Sequence, residues 1–109
     1  MNEKRFYKIG EVSEMLEVST STLRYWEKEF NMLSPDRAPK GQRRYTTDDL
    51  EKIKKIHFLI KVRGLKVDAA RRELQKNPTV VDHKYRAVER LKSLREVLKN
   101  FIETLDSLR

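Results

Sequence analysis

The last third of the chain constrains the fold more than any other part of it. From Thr79 to Arg109 the sequence contains no glycine and no proline, the two residue types that most often end a helix. Apolar residues in this stretch recur mostly at alternating steps of three and four, the spacing of heptad a and d positions. They are Val80, Ala87, Leu91, Leu94, Leu98, Phe101, Leu105 and Leu108. The pattern predicts one long helix with an apolar stripe along one side.

The predicted helix is too long for this chain to cover with its own residues. From Asp82 to Leu108 it would measure roughly 40 Å at about 1.5 Å per residue. Lys84 is the one polar residue within the stripe, and Val88 and Ile102 widen it. Hydrophobic residues make up 38% and charged residues 39% of the 109-residue chain, so little apolar material remains for a closed core. We therefore expect a homodimer with an interface formed by Leu91, Leu94, Leu98, Phe101, Leu105 and Leu108.

Residues 1–78 begin with two short amphipathic helices. The first is predicted from Ile9 to Glu17, because its apolar residues share one face. They are Ile9, Val12, Met15 and Leu16. Glu17-Val18-Ser19 interrupts the pattern, and Ser19 is a good N-cap for a second helix, with apolar residues at Leu23, Trp26 and Phe30. Two short helices joined this closely form a helix-turn-helix.

A loop or short hairpin is predicted next, between residues 33 and 45, where Pro35, Pro39 and Gly41 interrupt any helical period. Thr47 is expected to cap a third helix with Asp48 and Asp49 in its first turn. That helix should end at Gly64, and its expected buried stripe is Leu50, Ile53, Ile56 or His57, and Ile60. A fourth short helix fits residues 67–76, before Asn77-Pro78.

The charge balance predicts a polyanionic partner. Lysine and arginine number 25 against 17 aspartate and glutamate residues, for a formal net charge of +8. Residues 1–78 carry 18 of the basic and 12 of the acidic side chains. Excess positive charge of this kind attracts nucleic acid. We expect a polyanion-binding head over residues 1–78 and a dimerisation helix over residues 79–109.

Several classes of function are not expected from this sequence. It has no cysteine, which removes disulfides, thiolate metal sites and cysteine nucleophiles. His57 and His83 stand 26 positions apart, so we predict no metal site, and we find no constellation for catalysis or for a cofactor. No apolar run approaches the roughly 20 residues that span a bilayer, and no signal-type segment follows Met1. A soluble, cytoplasmic, nucleoid-associated protein without membrane contact is expected.

Two groups of side chains are candidates for contact with DNA. The outer face of the second helix suits the major groove, because base edges and phosphates need donors; its residues are Thr20, Ser21, Arg24, Tyr25 and Lys28. The basic loop suits the phosphate backbone; its residues are Arg37, Lys40, Arg43 and Arg44. The alternatives are a solvated helical face and an ordinary solubilising loop.

Other residues of the head are weaker candidates or are expected to be structural. Exposed helices often carry basic residues for solubility alone, so six basic residues on the third and fourth helices are weaker candidates. They are Lys52, Lys55, Lys61, Arg63, Arg71 and Arg72. The Tyr45 ring is expected to pack at the base of the hairpin with its hydroxyl pointing outward.

Several of these segments, in this order, resemble the MerR family of bacterial transcription regulators. They are Tyr7-Lys8-Ile9-Gly10-Glu11-Val12, Val18-Ser19-Thr20-Ser21-Thr22-Leu23-Arg24-Tyr25-Trp26-Glu27, then Pro35, Arg37 and Gly41-Gln42-Arg43-Arg44-Tyr45. The resemblance covers essentially the whole chain. It implies a mainly α fold, with a winged helix-turn-helix head that carries a small β-hairpin wing, a second helical pair and an antiparallel coiled coil. It also implies a homodimer that binds double-stranded promoter DNA and bends and underwinds it for RNA polymerase.

The sequence departs from the family pattern in three places. Glu17 stands where members usually have a glycine, so the turn either avoids positive φ or carries a strain of about 1 kcal/mol. Gln42 occupies a wing position often filled by an aromatic residue. Residues 1–109 contain no counterpart of the effector-binding region that many members place after the coiled coil, so we do not expect ligand sensing of the usual kind from these residues.

Two other functions fit the same residues. An excisionase-like or architectural protein would use a similar winged head to bend DNA without regulating polymerase. A protein-interaction adaptor would use the terminal helix to join a different protein, and its basic head would bind nucleic acid without sequence preference. Salt and competitor experiments separate these alternatives, and loss of sequence preference on mutation of the outer face of the second helix tests whether that helix reads the DNA sequence.

Overall fold

The computed structural model describes residues 6–30, 36–37 and 43–109, with the backbone alone described at positions 36, 37, 43 and 44. Most of these residues are helical, as predicted. The elements follow in the order β1 (Phe6–Lys8), α1 (Ile9–Leu16), α2 (Thr20–Glu29), β2 (Asp36–Arg37), β3 (Arg43–Thr46), α3 (Thr47–His57), a π-helical segment (Phe58–Val62), α4 (Val67–Lys76) and α5 (Pro78–Ser107).

The strands form one antiparallel sheet with β3 in the middle. On one side Tyr7 of β1 lies opposite Tyr45, and on the other Arg37 of β2 lies opposite Arg43. The β2–β3 pair is the predicted hairpin. Strand β1 was not predicted, because three residues carry no alternation long enough to indicate a strand and only the pairing with β3 defines it.

In the turn between α1 and α2, Glu17 has a positive φ, which is the strained one of the two conformations that the sequence allowed. Its φ of 54° and ψ of 44° are left-handed, which costs a residue other than glycine about 1 kcal/mol. The main-chain N–H groups of Glu17 and Val18 both donate to the Ser13 carbonyl, which satisfies the end of α1. Helix α2 then begins as predicted, with Ser19 Oγ accepting from Thr22 N at 3.1 Å.

Helix α3 begins one residue earlier than the sequence indicates. Thr46, not Thr47, is the N-cap: its Oγ1 accepts from Asp49 N at 3.0 Å, and Asp49 Oδ2 accepts from Thr46 N at 3.1 Å. The prediction was wrong because two adjacent threonines are equally good caps, and only the extended backbone of Thr46 distinguishes them. The two hydrogen bonds also explain how the Asp49 carboxylate can be only 7% exposed.

One core joins all the helices of the head to the start of α5. Helix α2 and its C-cap residue contribute the predicted apolar residues, which are at most 2% exposed. They are Leu23, Trp26 and Phe30. Helix α3 contributes Ile53 and Ile56, whereas His57 is only half-buried. The apolar spacing allowed either Ile56 or His57 in the buried stripe, and Ile56 is the one in the core.

Helix α5 presents different faces in its two halves. Near its beginning Val81 is fully buried and Tyr85 is 6% exposed, whereas Val80 is 47% exposed. The predicted stripe is therefore wrong at this end, where the head covers the adjacent face of the helix. From Leu91 onward every residue of α5 is exposed. No helix in the described part of the chain is long and apolar enough to cross a membrane.

Candidate nucleic-acid interface

The outward side of α2 brings together the residues predicted for the major groove. Ser21, Arg24 and Lys28 are exposed, Tyr25 is 49% exposed, and Thr20 is half-buried. At about 100° per residue these positions fall within one side of the helix. They lie opposite Leu23 and Trp26, whose burial fixes which side of α2 faces outward. The arrangement offers hydroxyl donors near the start of the helix and cations along it.

The N-terminus of α2 adds a positive electrostatic potential to this face, which favours anions. Thr20 and Ser21 lie in the first turn, at the positive end of the helix dipole. Helix N-termini suit phosphate groups for this reason. The cap at Ser19 is reinforced by the Thr22 hydroxyl, whose oxygen lies 2.9 Å from Ser19 Oγ. The end of the helix that would meet DNA is therefore well formed without a ligand.

The wing candidates share the β2–β3 hairpin. Arg37 pairs in register with Arg43, and Arg44 with Asp36. Lys40 lies outside the described residues, as does Gln42. The hairpin thus gathers three of the four predicted wing residues on two paired strands.

Side chains from the wing and from α3 hold the inner side of α2. The Tyr45 hydroxyl donates to a carboxylate oxygen of Glu27, and Tyr45 is fully buried. The expectation of an outward-pointing hydroxyl was therefore wrong, although the ring does pack at the base of the hairpin. The Trp26 ring meets His57 edge to face, with centroids 6.5 Å apart. These contacts join α2 to β3 and to α3.

Three of the weaker basic candidates form ion pairs within the protein. Arg71 Nη1 lies 3.0 Å from Glu29 Oε2. Lys55 Nζ lies 2.9 Å from Asp82 Oδ1. Lys52 Nζ lies 3.1 Å from Asp48 Oδ2. Only the last pair has an i,i+4 spacing that sequence could reveal; the other two join distant segments, and no local pattern indicates them.

The environment of His57 disfavours its charged form. Burial lowers the pKa of the imidazole from its ordinary 6.5, and nearby Lys92 and Lys61 lower it further. The Leu16 main-chain carbonyl and the Glu17 carboxylate act in the opposite direction. Because Lys92 belongs to α5, this histidine lies where the head meets the long helix.

The residues predicted for dimerisation remain exposed in the single chain. Their exposed fractions range from 49% at Leu105 to 76% at Leu108. Val97 and Ile102, at 63% and 56%, extend the same surface. We refer to the exposed apolar residues from Leu91 to Leu108 as the tail stripe.

Within the described ranges, no three histidine or carboxylate side chains are grouped so that they could hold a metal ion.

Comparison with known proteins gives the family. The model of the MerR HTH family of regulatory proteins matches residues 7–77, which is well over half of the chain. The chain belongs to the MerR family. The match begins within β1 and ends after α4, so it includes α2, the hairpin and every contact described above between them.

The chain is also similar to a bacterial transcriptional regulator. The HTH-type transcriptional regulator ZntR of Escherichia coli K12 is 29% identical over 93 residues, covering 76% of this chain and 66% of ZntR. The chain thus spans just under two thirds of that relative.

Two solved structures share the fold. A MerR-family transcriptional regulator from Bacillus cereus has a TM-score of 0.57 at 24% identity, covering 94% of this chain and 78% of its own. HiNmlR, described as a MerR family regulator lacking the sensor domain and bound to promoter DNA, has a TM-score of 0.56 at 21% identity, covering 92% and 87%. The predicted fold, a winged helix-turn-helix followed by a long helix, is confirmed.

Proposed function

We propose that this MerR-family regulator binds double-stranded promoter DNA in a sequence-specific manner as a homodimer. The observation that carries the proposal is the outward face of α2, where Ser21, Arg24 and Lys28 are exposed while Leu23 and Trp26 on the opposite side are buried. A helix held in this way can enter the major groove with its donors toward the base edges. The basic hairpin would lie beside it on the phosphate backbone.

The tail stripe supports the dimeric part of the proposal. Eight apolar side chains between Leu91 and Leu108 are about half exposed or more in the single chain, a surface that soluble proteins usually cover. The heptad spacing suits a second helix of the same kind. The 30-residue α5 would be about 45 Å long, and half-sites one turn of DNA apart are separated by roughly 34 to 36 Å. An antiparallel pair of tails can therefore separate two heads by about one turn of the duplex.

The described relatives support promoter DNA as the partner. HiNmlR is a MerR-family regulator bound to promoter DNA and lacking a sensor domain, and ZntR is a transcriptional regulator. For the present chain we propose the same class of target, with bending and underwinding of the promoter that bring its elements into phase for RNA polymerase. Regulation of this kind takes place in the cytoplasm, on the nucleoid.

Selection of bound fragments from random DNA, followed by footprinting, tests specificity, symmetry and distortion together. We expect a palindromic site with protection on two neighbouring major-groove faces. In the same assay Arg24→Ala should lower the preference for the selected site over random DNA by about 10- to 100-fold, the value of one good base contact. An equal loss at selected and random DNA would contradict sequence recognition by α2.

Two further substitutions serve as controls for Arg24→Ala. Lys40→Ala should weaken binding to all DNA about equally and reduce the salt dependence of binding, because a phosphate contact carries no sequence information. Lys99→Ala removes the same charge from the exposed second half of α5 and should change neither quantity much. Enrichment of no site at all would instead favour the protein-interaction adaptor, whose basic head would bind nucleic acid without sequence preference.

A further inference from the structure

The last residue of α2 is held by one guanidinium group from α4. Arg71 Nη1 donates to Glu29 Oε2 at 3.0 Å and to the Glu29 main-chain carbonyl at 3.3 Å. Arg71 Nη2 donates to Asp68 Oδ1 at 2.7 Å. One side chain therefore joins both the backbone and the carboxylate of Glu29 to the first turn of α4, across 42 positions of sequence.

The chemistry of this contact requires an arginine. The planar guanidinium offers several donors in a fixed geometry, so it can satisfy a carboxylate, a carbonyl and a second carboxylate together. The carbonyl lies at the C-terminal end of α2, where the helix dipole favours a cation. The side chains of Arg71 and Glu29 are 33% and 28% exposed, so solvent screens this pair less than a fully exposed one.

We propose that Arg71 is a positioning residue that sets the orientation of α2 against α4 and so determines DNA specificity without contacting DNA. The inference depends on the proposed function, because it concerns the helix that carries Arg24 and Lys28. Lys28 directly precedes Glu29, and Arg24 lies little more than one turn away. If this end of α2 could move, Arg24 and Lys28 would occupy several positions relative to the DNA. Phosphate contacts tolerate such movement better than base contacts do.

The competing explanation is that Arg71 itself neutralises a phosphate. The two explanations differ most clearly for Glu29→Ala, which leaves Arg71 in place and raises the net charge by one. If Arg71 positions α2, this substitution should lower the ratio of affinities for the selected site and random DNA by about fivefold, a moderate value for a partly exposed charge-assisted hydrogen bond. If Arg71 binds phosphate, release from Glu29 should leave the ratio unchanged or strengthen all binding.

The same assay with Arg71→Lys keeps the charge but removes the planar fork. We expect a similar loss of selectivity, about fivefold. Arg71→Ala, which removes the charge, should leave the salt slope on random DNA unchanged, whereas a slope lowered by about 0.9 would indicate a lost phosphate contact. The double variant of Arg71→Lys and Glu29→Ala should lose no more than either alone. The matched control is Arg72→Ala, an exposed neighbour on α4, which should leave selectivity unchanged. Additive losses, or selectivity retained in Glu29→Ala, would overturn the proposal.

A distance measurement without DNA decides the point even if the protein selects no DNA sequence. The chain has no cysteine, so spin labels at Ser21→Cys on α2 and Gln75→Cys on α4 are unique, and both positions are exposed. Labelled chain diluted into unlabelled chain reports distances within one protomer. Arg71→Ala should broaden or shift the distance distribution, while Arg72→Ala should leave it unchanged. An unaltered distribution in Arg71→Ala would refute the positioning role, whereas failure to enrich any site would refute only the proposed function.

Discussion

The two halves of α5 have similar apolar content but opposite surroundings. In the first half Val81 is fully buried and Tyr85 is 6% exposed, and Asp82 forms an ion pair with Lys55 of α3. In the second half the tail stripe is exposed throughout. The comparison shows where the core of the head ends. Beyond Val88 the helix needs a second surface, because an isolated helix of this length is marginally stable in water.

The change of face within α5 explains the difference. Val81, Tyr85 and Val88 follow each other at steps of four and three, and they face the head. The tail stripe begins at Leu91, about 60° around the helix from Val88 at 100° per residue. The head therefore covers one side of the helix and leaves the heptad side free. The same helix can then serve the core of one chain and an interface between two.

Substitution of Leu98 should have the largest effect, because this side chain lies in the middle of the tail stripe. Leu98→Asp places a carboxylate where we expect an apolar interface, and burial of an unpaired charge is strongly unfavourable. Sedimentation should give the mass of a single chain, and affinity for palindromic DNA should fall by more than 100-fold at the same protein concentration, a loss on the scale of about 3 kcal/mol.

Asn100→Asp is the matched control, since it changes the charge by the same amount on the same helix but off the tail stripe. Its mass in sedimentation should equal that of the unmodified protein. A dimer that persists in Leu98→Asp would show that the second half of α5 has another role.

The same substitution, valine to alanine, can be made in each half of α5 to compare how much a side chain there contributes to the free energy of unfolding. Val81→Ala removes a fully buried side chain, and Val97→Ala removes one that is 63% exposed. In a Leu98→Asp background, where association does not contribute, Val81→Ala should lower the free energy of unfolding by about 2 kcal/mol. Val97→Ala should change it by less than about 0.5 kcal/mol. Equal values from urea denaturation would contradict the division of the helix.

The head should be open to stabilisation at a position remote from the tail stripe. Glu17→Gly relieves a left-handed backbone that costs about 1 kcal/mol, partly offset by the greater freedom of glycine in the unfolded chain. We expect an increase in unfolding free energy of up to about 1 kcal/mol and no change in oligomeric mass. Glu14→Gly, within α1, should lower stability by about the same amount. A loss of stability in both variants would show that other contacts of Glu17 outweigh its strain.

The smallest effect is expected at the junction of the two halves, where His57 faces Lys92. Because the pKa of His57 is held below 6.5 in the folded protein, the unfolded chain takes up a proton first as the pH falls. The contribution of this group to stability is therefore complete above about pH 6.5 and is lost as the pH decreases through the folded pKa. His57→Gln should reduce the change in unfolding free energy between pH 7 and pH 5, as measured by urea denaturation at each pH. An unchanged dependence of stability on pH in His57→Gln would contradict this assignment.

Much of the fold could be predicted, because it follows from local patterns. The apolar spacing located α1, α2 and α4, Ser19 was identified as a cap, and the absence of glycine and proline after Pro78 predicted a single helix. The outward face of α2 followed from the same periodicity, since the side opposite Leu23 and Trp26 must face away from the core.

Features that depend on distant residues could not be predicted. Strand β1 exists through its pairing with β3, and the π-helical segment after His57 has no recognised sequence pattern. The Tyr45 hydroxyl was expected in solvent because its acceptor, Glu27, is 18 positions away. Val81 was passed over for Val80 because the heptad pattern of the tail was extended into a turn that the head covers. The sequence also could not distinguish a basic residue that meets a carboxylate, such as Arg71, from one that meets solvent.

The uninterrupted course of α5 from Pro78 to Ser107 has a geometric consequence for the dimer that we propose. The side chains that pack on the head and those of the tail stripe lie on one continuous helix. The number of residues between Val88 and Leu91 therefore fixes the angle, around the helix axis, between the head and the tail stripe. Each inserted residue would turn the head by about 100° and carry it about 1.5 Å along the axis. In the two-fold pair that we propose, both heads would rotate together, so the length of this short segment would set the directions in which the two α2 helices face a duplex.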